Sequence, residues 1–249
     1  MRRYLEFVSA IALLCISFCL TFAQENVTVV AAASEAAEGL DLHAVAELFK
    51  DSENLEAFEK ALNDPEEGVN NLDLDENDEI DYIRIVEEVA DGTHVIILQA
   101  VLAEDEFQDV ATIEVEKNSE ADVNLQIHGN DDIYGADYYM APTVVSVHTW
   151  PMIVWLYRPH YRPYRSVFHF GVYPRWWKPY RPVKVNVYRT RTVKLRGRKT
   201  FVVHKKSRVK TVRRVNYKPR NSKRVTKTTI KTRRGRTTVK RTQVKRRRN

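Results

Sequence analysis

The stretch Asp73-Leu74-Asp75-Glu76-Asn77-Asp78-Glu79-Ile80-Asp81 places oxygen-bearing side chains at its first, third, fifth and ninth positions. A tight loop with that spacing turns its oxygens onto a hard cation, and the seventh position, Glu79, supplies a backbone carbonyl. Calcium takes six to eight oxygens, and this loop offers at least five. The expected cofactor is therefore calcium, with Asp73, Asp75, Asn77, Glu79 and Asp81 as its ligands. Two positions depart from an EF-hand: Asp78 stands where a glycine makes the sharp turn, and Arg84 stands where a bidentate Glu closes the site. The residues after the loop also read as a strand, not a helix. The competing reading is an acidic turn that leads into that strand.

Other chemistry is absent from the sequence pattern. There is no Ser-centred nucleophile motif, no phosphate loop and no His-x-Glu metal helix. The histidines at 43, 94, 128, 148, 160, 169 and 204 do not fall at ligand spacing. The expectation is a protein that is not an enzyme.

Charge is divided along the chain. Residues 24–140 hold 32 acids and 4 bases, a net −28. Residues 141–249 hold 34 bases and no acid, a net +34. A uniform globular enzyme does not look like this. Opposite halves attract within or between molecules, although beyond about 8 Å physiological salt screens them.

The N-terminus reads as a signal peptide, residues 1–23. Arg2 and Arg3 precede an apolar run from Val8 to Phe22, and Thr21 and Ala23 are small residues at the cleavage positions. The run is short for a membrane span. Both cysteines, Cys15 and Cys19, lie in this segment, so the mature chain has neither a disulfide nor a thiol site. The expected localisation is secreted: periplasm, outer surface or extracellular.

The elements that must hold the loop are those of a small α+β domain over 24–140. Asp41 to Asn63 has helical periodicity with a break near Asp51-Ser52. Strands are expected over Ile80–Val89, Thr93–Ala103, Val110–Glu116 and Val123–His128, with Asp91-Gly92 as a hairpin turn. The architecture is N-terminal helices packed on a four-stranded antiparallel meander, followed by a largely disordered basic tail. The acids are expected on the open sheet face and the loops.

Several segments of this domain resemble a family of uncharacterised secreted proteins of Bacteroidota-type Gram-negative bacteria. They are Leu55 to Pro65, Asn71-Leu72-Asp73-Leu74-Asp75, Asp81-Tyr82-Ile83-Arg84, Gln108 to Glu114, and Asp132-Ile133-Tyr134-Gly135. The resemblance covers roughly residues 24–180. Family members tend to carry Asp-Gly where this chain has Asn77-Asp78. The resemblance implies an envelope or extracellular location and no particular activity.

Residues 141–182 form an aromatic, proline-rich bridge with all four Trp and seven of the nine Pro. Aromatic rings beside Arg158, Arg162, Arg165 and Arg175 suit interfaces. The plainer reading packs Val144 to Tyr157 over the exposed sheet face. Residues 183–249 are a polycationic low-complexity tail. Val183 to Val187 alternates like a strand, and Thr228 to Lys240 is nearly symmetric about Gly235, as a hairpin would be. Arg forks bind phosphate and carboxylate. The function expected is a secreted, envelope-associated interaction protein whose tail binds anionic surface polymers or lipids, with intracellular nucleic acid excluded by secretion. The alternative is a periplasmic protein-binding or inhibitory module.

Overall fold

The computed structural model describes residues 36–209, 211–215, 217–222, 228–233 and 236–241. The signal-peptide expectation, residues 1–23, lies outside the described residues.

Helix α1 (Leu42–Asp51) begins where Asp41 turns its carboxylate onto the His43 N–H at 2.8 Å. That contact satisfies one of the donors a helix start leaves unpaired. It ends at Ser52, whose hydroxyl returns to the Leu48 carbonyl at 2.7 Å. Asn54 then caps helix α2 (Leu55–Asn63) through the Ala57 N–H at 2.8 Å. The break expected near Asp51-Ser52 is thus a pair of caps. Phe49 and Phe58 meet edge to face at 5.4 Å and lock the two helices together.

Six strands follow in one antiparallel sheet, in chain order: β1 (Tyr82–Ala90), β2 (Thr93–Ala103), β3 (Glu106–Lys117), β4 (Val123–Gly129), β5 (Tyr139–Pro142) and β6 (Phe201–His204). Asp91 and Gly92, both at positive φ, close the first hairpin. Ile83, Ile85, Ile96, Leu98, Ile113, Leu125 and Ile127 face the helices and form the main core. Every residue of β2 from Thr93 to Leu102 is buried, because both faces of the sheet are covered.

Three expectations are corrected here. The sheet has six strands, not four, because β5 and β6 come from short segments 59 residues apart in sequence (142 to 201) that pair only in three dimensions. The basic tail is not largely disordered over its described part: residues 183–209 and most of 211–222 lie against the acidic domain. Val183 to Val187 is not a strand, since Val185–Arg191 forms helix α5 after the short helices α3 (Asp131–Tyr134) and α4 (Pro151–Leu156). Local alternation gives way there to an anchor. The buried Tyr188 hydroxyl accepts from the Asp41 N–H at 2.7 Å and donates to the Val69 carbonyl at 2.9 Å.

The bridge does not simply lie over the open sheet face. Val147, Trp150, Met152, Ile153 and Leu156 enter the helix-side core. Residues 164–166 instead close the free edge of β1: the Glu87 N–H donates to the Tyr164 carbonyl and the Ser166 N–H to the Ile85 carbonyl, each at 2.9 Å. The short helix α6 (Val193–Arg196) completes the ordered helices, and Thr228–Arg233 pairs with Arg236–Arg241 as a separate hairpin, β7–β8. Among the described residues no helix is long and apolar enough to cross a membrane.

Candidate functional site

The outer sheet face carries two kinds of residue. Val86, Val95 and Ile97 form an apolar strip under Val212, Val215 and Tyr217. Tyr82 and Val101 lie under Trp177, with Tyr173 and Phe168 around them. Between and beside these strips sit carboxylates that the fold buries. Asp109 is 1% exposed, Glu114 4% and Glu116 8%. Burial raises the Asp109 and Glu114 carboxyls above their usual range, only partly offset by their hydrogen bonds.

The groups that satisfy these acids are neutral. Asp109 accepts from the Tyr217 hydroxyl and the Arg220 backbone N–H, both at 2.8 Å. Glu116 accepts from the Thr211 hydroxyl at 2.5 Å, and Glu106 from the Ser222 hydroxyl. Gln126 takes the backbone N–H of Arg208 at 2.6 Å. The same rule holds on the helix side. Glu87 accepts from the Tyr161 hydroxyl and from the Tyr164 N–H at 2.7 Å, while His94 lies 2.6 Å from its other oxygen. Glu59 accepts from the Tyr82, Ser166 and Tyr164 hydroxyls at 2.8, 2.7 and 3.1 Å, and from the Ile85 N–H at 3.1 Å.

The basic half is therefore docked by its hydroxyls, its backbone and its apolar side chains. Its charges face water. Among the described residues, four bases of residues 141–222 are in ion pairs with the acidic half: Arg165 with Glu88, Arg189 with Glu38, Arg196 with Asp41, and Arg198 with Asp51 and Glu47. These guanidiniums are 40–60% exposed, so each pair contributes little. Arg175, Lys178, Arg181, Lys184, Lys205, Lys206, Arg208 and Lys218 are all exposed. A sheet face that the first half makes acidic is thus presented to solvent as a basic one.

The predicted metal loop is folded on itself. Asp73 accepts the N–H groups of Asn77 and Asp78, one on each oxygen, both at 3.0 Å. Asn77 accepts from the Glu79 N–H at 2.8 Å, and Asp81 from the Leu74 N–H at 2.6 Å. Glu76 and Asp78 stand at φ 58° and 67°, so non-glycine residues make the turn. Asp75 is half-buried and Asn77 and Glu79 are exposed. Burial first, and then the neighbouring Asp75 and Asp73, hold the Asp81 carboxyl well above the usual carboxylate range. Among the described residues no group of three or more His, Cys, Asp or Glu side chains is gathered to hold a metal ion.

Of the residues that organise the interface, Tyr161 and Tyr164 are among the rings of the aromatic bridge that the sequence marks as interface-forming, whereas Ser166, Tyr188, Thr211 and Tyr217 carry no such mark. Their signal is hydroxyls interleaved with bases, visible once the acids they serve are known to be buried. Comparison with protein-family models, with curated proteins and with solved structures finds no match to this chain.

Proposed function

We propose that this chain is a secreted, envelope-associated interaction protein without catalytic activity, and that its basic second half binds anionic surface polymers or lipid headgroups. One observation carries the reading. The acids of the first half take hydroxyl and N–H donors from the second half and leave most of its Lys and Arg side chains in water. Residues 223–249 add 13 more bases and no acid. Exposed cations of one sign raise the local concentration of polyanions and bind phosphate or carboxylate in charge-assisted contacts.

Sedimentation of the full chain with vesicles tests this. Binding to vesicles with anionic headgroups, lost at high salt and absent on neutral glycolipid vesicles, supports the reading. Equal binding to both kinds contradicts it. Calcium enters the proposal at the loop Asp73–Asp81. A carboxylate oxygen has two lone pairs, so Asp73 can keep its backbone N–H partners and still ligate an ion, and calcium and chelator melts report whether it does.

A further inference from the structure

A pocket of about 310 Å³ opens between α2 and the aromatic bridge. Glu59 lies on its floor, and Tyr164, Phe168 and the exposed Trp176 form its aromatic walls. Pockets of about 300–1,000 Å³ take small ligands.

The chemistry of the lining narrows the ligand. Glu59 is 2% exposed and is in no ion pair among the described residues, so its charge is solvated by neutral donors alone. Those four donors occupy both oxygens, two on each. Asn54 offers no free acceptor either, since its side-chain oxygen caps α2 at the Ala57 N–H. At the floor, a metal ion, a primary ammonium and a guanidinium would each need a lone pair that Glu59 no longer offers. A quaternary ammonium needs none. It is held by a field and by aromatic rings, and both carboxylates and rings line the pocket. Glu56 at the rim adds a second carboxylate, which is exposed to water and attracts any cation without selecting among them, so the selection falls to Glu59 on the floor.

We propose that this pocket binds a quaternary ammonium group, carried by a free solute or by a lipid headgroup. The site is separate from the polyanion surface and does not depend on it.

Calorimetric titration of the full chain with choline, and with its neutral carbon isostere 3,3-dimethyl-1-butanol, tests the site. Choline is expected to bind roughly tenfold more tightly than the isostere. Trp176→Ala and Glu56→Gln, both at exposed positions, are each expected to weaken choline roughly threefold with an unchanged melting temperature. Lys60→Gln is expected to tighten it, because Lys60 is the cation already at the rim. Sedimentation with phosphatidylcholine vesicles, competed by free choline, identifies the headgroup as a source; choline binding without sedimentation identifies a free solute. Equal affinity for choline and the isostere would overturn the proposal, and so would no choline binding at tens of millimolar. Either failure leaves binding to anionic vesicles untouched.

Discussion

The Tyr217 hydroxyl donates to Asp109 Oδ2 at 2.8 Å, joining two residues 108 positions apart across the outer face of the sheet. Asp109 is nearly inaccessible, and the second donor to the same oxygen is the backbone N–H of Arg220. A basic segment thus meets a buried acid through a phenol and an amide. Its guanidinium stays outside, with Arg220 set over the Phe107 ring at 5.6 Å.

Tyr217→Phe removes that phenol and leaves Asp109 one donor short in a buried site. The expected loss is about 1–3 kcal/mol, the cost of an unsatisfied buried acceptor. A thermal melt of the full chain reads it, and limited proteolysis should cut near Lys218 sooner. An unchanged midpoint would show that the contact carries no stability.

Docking by neutral donors is insensitive to ionic strength, whereas docking by ion pairs is screened. Hydrogen-exchange protection of residues 207–209 and 217–222 is therefore expected to be the same at low and high salt. Protection that fades as salt rises would assign the docking to charge attraction instead.

Asp81 sets a pH dependence with a definite sign. Its folded pKa is raised, while the unfolded carboxyl titrates near about 4. Between the two values the folded state binds more protons than the unfolded one, so stability falls as pH rises through that window. Asp81→Asn keeps an acceptor for the Leu74 N–H and removes the charge. It is expected to raise the melting temperature at about pH 7.5, with the gain vanishing near about pH 4. A loss of stability in calcium but not in chelator would instead make Asp81 an ion ligand.

Gly129 ends β4 against the Tyr134 ring. A Cβ there would stand 2.7 Å from Tyr134 Cδ2 and Cγ. Tyr134 cannot yield freely, because its buried hydroxyl donates to the Leu40 carbonyl at 2.8 Å. Gly129→Ala is expected to cost about 1–3 kcal/mol, the usual range for overpacking. In a Tyr134→Ala background, itself destabilised by the lost ring, the same Gly129→Ala change should cost less than it does beside the native ring. An unaltered midpoint in the single variant would contradict the contact.

The elements of residues 41–129 were legible because their patterns are local. Thr93–Ala103 was read to the residue, and Asp51-Ser52 was read as a break. Asp91-Gly92 marked its turn through residues that tolerate positive φ. The second half was not legible for the opposite reason. Phe201–His204 is four residues long and exists as a strand only because Tyr139–Pro142 offers it an edge. Tyr188 sits in a run of valines and bases, and only the unpaired backbone groups of Asp41 and Val69 explain its place. Charge predicts that the two halves attract, but it does not predict which groups meet. The groups that make the contact, such as Thr211 and Tyr217, are the uncharged ones.

The central claim is that the exposed bases, not the paired ones, engage polyanions. Heparin affinity of the full chain, measured against salt concentration, tests it most directly. Two triple variants are compared: Lys205, Lys206 and Arg208 to Gln, all exposed, and Arg189, Arg196 and Arg198 to Gln, all paired to acids. The account predicts that the first set weakens binding and flattens the salt slope by roughly one per contacting base. It predicts that the second set changes affinity far less. Equal losses from both sets, or no loss from the first, would contradict it.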